Sequence, residues 1–173
     1  IPIETVMDLI DFCFIKGVKT LVNPAPAIKM TPEELSKIWM ITQNESEAEI
    51  LTGITVNNQQ NAINAAQMIL AMGVEHCIVT LGEKGSVWIS KNGAFHFTVP
   101  SVNSVDSTAA GDVFNGYLAA GVTRDLPLEK AIVIAHAAAS LSVTVKGAQT
   151  SIPKIEKTQL FLKQNPIEIK KIF

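Results

Sequence analysis

The densest chemical signal in the sequence is the run Asp106-Ser107-Thr108-Ala109-Ala110-Gly111-Asp112. Two carboxylates flank small residues at the expected start of a helix. Small side chains let a ligand approach the backbone, and exposed N–H groups together with the helix dipole favour an anion. Asp112 then falls in the first turn, pointing at whatever that anion site holds. A carboxylate beside a phosphate cradle suits a base that accepts the proton of an attacking hydroxyl during phosphoryl transfer. The same spacing equally suits a plain helix start capped by Asp106 or Ser107, because short motifs also match by chance.

Two further segments carry chemistry less specifically. Thr80-Leu81-Gly82-Glu83-Lys84-Gly85 closes an apolar run, where two glycines can bring backbone N–H groups onto a phosphate. Glycines so placed more often punctuate a hairpin. The segment is not a P-loop, since no Gly-Lys-Ser/Thr follows it. Asn44-Glu45-Ser46-Glu47 follows another expected strand, where ligand sites gather in α/β sheets. Asn44 and Glu47 could hold hydrated Mg²⁺ near phosphates, or they could cap a helix with acidic residues in its first turn, which the local pattern favours. His136 lies in an apolar stretch and reads as a buried, hydrogen-bonded histidine. His76 and His96 have no partners at ligand spacing, and Trp39 and Trp88 read as core.

The elements that position these residues must come from a chain of 173 residues, 47% hydrophobic and 17% charged. That is more apolar than an average globular protein, with about a quarter charged, and long enough for one domain with a substantial core. The balance of 14 basic and 16 acidic residues, with Arg124 the sole arginine, argues against a nucleic-acid or acidic-membrane surface. Cys13 and Cys77 are too few for a disulfide framework and lack metal-site spacing, which points to a reducing cytoplasm, with nuclear presence also allowed. The longest apolar stretch, residues 132–145, is shorter than the ~20 residues of a membrane span. No signal peptide opens the chain, yet it begins without Met and runs at once into a helical pattern, as a piece of something longer would.

Residues 4–16 carry Val6, Leu9, Ile10, Cys13 and Phe14 at helical spacing, with Gly17 as a stop. Residues 18–22 and 38–42 read as strands, and Thr31-Pro32-Glu33-Glu34 as a helix start. Helices are expected over 45–51, closed by Gly53, and over 57–72, closed by Gly73. Residues 77–80 and 87–89 read as strands, and Asn92-Gly93 is a hairpin signal before residues 94–99. Helices follow over 109–122 and 127–145, the second apolar nearly all round. This alternation implies an α/β fold with a mostly parallel sheet, covered on both faces and carrying an antiparallel edge. A polar, basic tail over 154–173 follows residues 1–153 and has no clear place.

In order, these segments resemble the ribokinase group of the PfkB carbohydrate kinase family, from about Val18 to Pro153. Asn23-Pro24-Ala25-Pro26-Ala27 is similar to the family's strand-end segment and Asn44 to Glu47 to its Asn-x-x-Glu motif. Thr80 to Gly85 resembles its nucleotide loop, Asp106 to Asp112 its signature, and Lys146-Gly147-Ala148-Gln149 the stretch after its last core helix. Several motifs in the right order are far more specific than any one. The resemblance implies a three-layer α/β/α fold and an ATP-dependent sugar kinase, with D-ribose giving D-ribose 5-phosphate. It makes Asp112 the base and gives the anion hole to the N–H groups of Ala109, Ala110 and Gly111. ATP would be lined by Asn44, Thr80, Leu81, Gly82, Glu83, Lys84, Gly85, Gly111, Asp112 and His136. Glu47 would organise Mg²⁺ through water. An activating K⁺ would take oxygens from Asp106, Thr108, Ser142, Val145, Gly147 and Ser151.

Departures inside the matched region are small: Ser107 and Val113 stand where the family commonly has Thr. The larger departure is a missing half. Family members run to roughly 300 residues, as a single α/β domain allows, and their first strands, lid and sugar-binding motif have no counterpart here. With the lid absent, the family's dimer contact is absent too. The isolated chain is therefore expected to be poorly active, because lid closure and substrate positioning supply much of catalysis. Strands normally central would become an exposed edge. Rival readings are a kinase of the same family for deoxyribose, fructose or a nucleoside such as adenosine, and a non-catalytic ATP-binding module.

Overall fold

The computed structural model describes residues 1–173, which divide into two compact units. The first unit comprises residues 1–82, 86–96 and 171–173, and the second residues 83–85 and 97–170. A single six-stranded sheet, in sequential strand order, runs through the fold.

In the first unit the elements are α1 (Ile3–Ile15), β1 (Leu21–Val22), α2 (Pro32–Leu35), β2 (Met40–Gln43), α3 (Glu45–Thr52), α4 (Gln59–Ala71), β3 (His76–Thr80), β4 (Ser86–Ser90) and most of β5 (Gly93–Phe97). Strands β1, β2 and β3 are parallel, with Val22 opposite Ile41 and Gln43 opposite Val79, and β4 turns back antiparallel against β3. Every residue of β2 and β4 is buried, as expected of strands covered on both faces. On one face Ile41, Cys77, Val79, Val87 and Ile89 join a core with Ala62, Ala65, Ala66 and Ile69 of α4. Local sequence sets the helix ends. Thr31 and Asn44 each form a reciprocal capping box with the glutamate three residues on, and Gly53 ends α3 in the left-handed conformation.

Several expectations shift. The strand expected over 18–22 contracts to Leu21–Val22, because the Val18 N–H closes α1 by donating to Cys13 O. The helix at Thr31 is a single turn. The apolar positions of α1 also divide: Ile10 is core, whereas Leu9, Phe12, Phe14 and Ile15 are each more than half exposed.

The second unit holds α5 (Ala110–Val122), α6 (Leu128–Ser142) and α7 (Ile155–Gln164). Helices α5 and α6 approach closely at Gly121, where an added Cβ would lie 2.8 Å from the Ala131 Cβ. The polar tail is structured. Within it, α7 buries Thr158, whose hydroxyl donates to the Tyr117 hydroxyl at 3.4 Å. The tail ends in β6 (Ile169–Lys171), beside β5 in the sheet. No helix is long and apolar enough to cross a membrane.

Candidate active site

In the first unit, the three parallel strands run toward the same edge of the sheet, β1 ending two residues short of β2, and each end delivers a polar residue: Asn23 after β1, Asn44 after β2 and Thr80 closing β3. The carboxyl ends of parallel strands are where open α/β sheets bind ligands. Asn44 caps α3 by accepting the Glu47 N–H at 2.9 Å, and Glu47 Oε2 accepts the Asn44 N–H at 2.9 Å. The Asn23 amide donates to the same Oε2 at 3.3 Å and to Thr42 O at 2.9 Å. Glu47 Oε1 takes none of these bonds, so the carboxylate is held on one oxygen and can meet a hydrated cation with the other. The Thr80 hydroxyl donates to Gln43 O at 3.3 Å, and Leu81 is buried beside it. Gly82 has φ +56, the left-handed region. The part played by Asn23 was not legible from its strand-end position alone.

In the second unit, Glu83 and Lys84 lie in a 3-10 turn that leads to Gly85. Gly85 has φ +88, and a Cβ there would stand 1.8 Å from Phe97 O, so only glycine fits. The signature run forms a tight turn ahead of α5. Ala109 takes the N-cap position at φ +61, and no side chain caps the helix, so neither Asp106 nor Ser107 serves as cap. The Ala110 N–H is directed to Ser107 O at 3.2 Å. The next N–H groups, of Gly111 and Asp112, fall in the first turn, where the helix ladder has no acceptor for them. Gly111 and Asp112 are both exposed. Asp112 lines a cavity of about 550 Å³ with Gly116, Tyr117, Ala120, Arg124 and Gln149.

Both oxygens of the Asp106 carboxylate are engaged. One carboxylate oxygen accepts the Thr108 N–H at 3.0 Å and the other the Gly147 N–H at 2.9 Å. Hydrogen bonds from Thr108 and Gly147 pull its pKa down to about 2. The remaining residues expected around a cation follow on the turns after α6. Ser142 and Ser151 are buried with their hydroxyls donating to Ala139 O and Ala148 O, and Gly147 is left-handed at φ +95. Direct bonds thus join Asp106 to Thr108 and to Gly147, whereas the hydroxyls of Ser142 and Ser151 are engaged within their own segments. His136 is 5% exposed within α6, its ring centroid 4.8 Å from that of Phe114 and 6.2 Å from that of Phe97.

The chain belongs to the pfkB family of carbohydrate kinases, whose model matches residues 1–155. It is 45% identical over 147 residues to a ribokinase of Haemophilus influenzae, covering 84% of this chain and 48% of that one. It is 36% identical over 166 residues to a deoxyribokinase of Salmonella typhi, covering 95% and 54%. The structure of Arabidopsis thaliana ribokinase complexed with ribose and ATP is similar at TM-score 0.87 and 28% identity, covering 94% of this chain and 53% of that one. The chain spans about half the length of the relatives it matches.

Proposed function

We infer that the chain carries the ATP-binding and base-bearing elements of a cytoplasmic sugar kinase that converts D-ribose to D-ribose 5-phosphate. The observation that carries this reading is Asp112, exposed on the first turn of α5 beside free helix N–H groups and opening onto a cavity. The ribokinase relative at 45% identity and the Arabidopsis neighbour bound to ribose and ATP support it over the deoxyribokinase at 36%.

In this reading the Asp112 carboxylate accepts the proton of the sugar's primary hydroxyl as the oxygen attacks the γ-phosphoryl group. The orphan N–H groups at the start of α5, with the positive helix end, hold the charge that develops on the phosphoryl oxygens. In the first unit, Asn44 and Thr80 at the strand ends would contact the nucleotide. Glu47, fixed by Asn23 and Asn44, would hold Mg²⁺ through water, and the ion would supply charge neutralisation at the phosphates. The carbonyl and carboxylate oxygens of Asp106, Thr108, Ser142, Val145, Gly147 and Ser151 suit a hard monovalent cation such as K⁺, which would stiffen the turn they border.

The test is ADP release with ATP, Mg²⁺, K⁺ and each of ribose, deoxyribose, fructose and adenosine, beside Asp112→Asn and with ATP binding measured in parallel. Turnover by the chain alone is expected to be slow, to favour ribose, and to fall roughly 10²- to 10⁴-fold in the variant. Preference for deoxyribose overturns the substrate assignment. ATP binding without turnover on any sugar makes the chain a nucleotide-binding module instead.

A further inference from the structure

The turn ahead of α5 is tied to the segment after α6 in two distinct ways. The backbone does one part: Val105 N–H and Asp106 N–H both donate to Val143 O, at 2.7 and 3.1 Å. The Asp106 side chain does the other, with one oxygen on Thr108 N–H and the second on Gly147 N–H, forty-one positions along the chain. Immediately beyond this double tie, Ser107 O takes the Ala110 N–H and Ala109 is forced left-handed at φ +61. A left-handed alanine is costly and persists only where its surroundings over-determine it. No side chain caps α5, and the Asp106 carboxylate restrains this turn just before the helix begins.

We propose that Asp106 is a positioning residue, a carboxylate strut that holds the 107–109 turn and so sets the aim of the Gly111 and Asp112 N–H groups. The strut is made of the side chain and two backbone donors and needs no bound cation. Asp106 does not line the cavity that Asp112 lines, and it acts on a phosphoryl group only through the helix start. This rests on the kinase reading above, in which those N–H groups serve the transferred phosphoryl group. The chemistry follows from hydrogen bonding. Removing the carboxylate strands two N–H groups at once, whereas the bonds to Val143 O survive and keep the loop in place.

The experiment uses this chain, ¹⁵N-labelled, in potassium-free buffer with tetramethylammonium as the only added cation, comparing wild type with Asp106→Ala and the near-isosteric Asp106→Asn. Amide exchange at Thr108 and Gly147 is expected to quicken roughly tenfold or more in both variants. The Gly111 and Asp112 amide resonances are expected to shift with them, more in Asp106→Ala. Preference for ATP over ADP, measured by titration in the same buffer with Mg²⁺, is expected to fall several-fold, since the lost aim concerns the terminal phosphate.

Unmoved Gly111 and Asp112 amides in both variants would overturn the proposal. So would shifts that occur without any change in ATP-over-ADP preference, because the strut would then be structural only. An effect present in potassium and absent without it would reassign Asp106 as a cation ligand alone. Wild type with no preference for ATP sinks the kinase reading instead, and the amide arm still decides whether Asp106 holds the turn.

Discussion

Asn23 Nδ2 lies 3.3 Å from Glu47 Oε2, joining the end of the first strand to the first turn of a helix twenty-four positions later. The same oxygen already accepts the Asn44 N–H, so Asn23 restrains a carboxylate whose helix cap is complete without it. Asn23→Ala should therefore cost about 1 kcal/mol of stability and leave α3 capped. Its larger effect is expected on Mg²⁺-dependent ATP affinity, read by calorimetry with and without the metal. An equal loss in both conditions would mean that Asn23 does not act through Glu47.

Gly85→Ala places a methyl against Phe97 O at a backbone angle that disfavours any side chain. Loss of roughly 1–3 kcal/mol is expected from the strained backbone, with more if the nucleotide loop must be rebuilt. Urea denaturation gives the size of the loss. An unchanged midpoint would show that the loop is not confined as described.

Ala109 offers the opposite test. Relief of its left-handed strain, worth about 1–2 kcal/mol, should outweigh the added flexibility of glycine in the unfolded chain, about 0.5–1 kcal/mol. Ala109→Gly is expected to be neutral to mildly stabilising. Ala109→Val, β-branched in the same conformation, is expected to destabilise. If the glycine variant unfolds at markedly lower denaturant, the turn is not strained.

His76 gives a pH dependence. Its Nδ1 accepts the Trp88 Nε1–H at 3.3 Å, which requires the unprotonated ring. Burial lowers its pKa below the usual 6.5; Glu75 opposes the shift, while Lys19 and Lys91 add to it. The unfolded chain thus takes up a proton near pH 6.5 and the folded chain only at lower pH. Stability from this group is full above about pH 6.5 and falls as pH drops towards the folded value. Denaturation at pH 7.5 and 5.5 should show the fall in wild type and a smaller one in His76→Gln. Parallel slopes would remove His76 from the account.

What the sequence disclosed was largely local. Thr31 with Glu34, Asn44 with Glu47 and the stop at Gly53 act within a few residues, so the helix boundaries they set were readable. Asn92-Gly93 likewise marked the turn from β4 into β5. The α/β class followed from the alternation of strands and helices, and the family from motifs in sequence. The contacts that finish the site were hidden because they join distant positions: Asn23 to Glu47, Asp106 to Gly147. Helix α7 escaped notice for another reason. Its start at Lys154 has no capping side chain, and its fully buried position is the polar Thr158, with Ile155, Phe161 and Leu162 only partly covered beside it. The exposed Leu9 and Phe14 of α1 show that helical spacing identifies a helix without saying which of its faces is covered.

The last strand has a practical consequence for anyone shortening the protein. Ala94 N–H donates to Phe173 O at 3.2 Å, and Ile172 N–H returns to Ala94 O at 2.8 Å. Trimming the chain after residue 153, where the motifs stop, would strip β5 of this partner and take away Lys170 and Lys171, charges of the kind that keep strand edges from pairing with other molecules. Such a trimmed protein is prone to stick to copies of itself and to collect in inclusion bodies. Gly93 packs so closely on this segment that a Cβ added there would stand 2.7 Å from Phe173 O. Retaining every residue through Phe173 keeps β5 paired on this side.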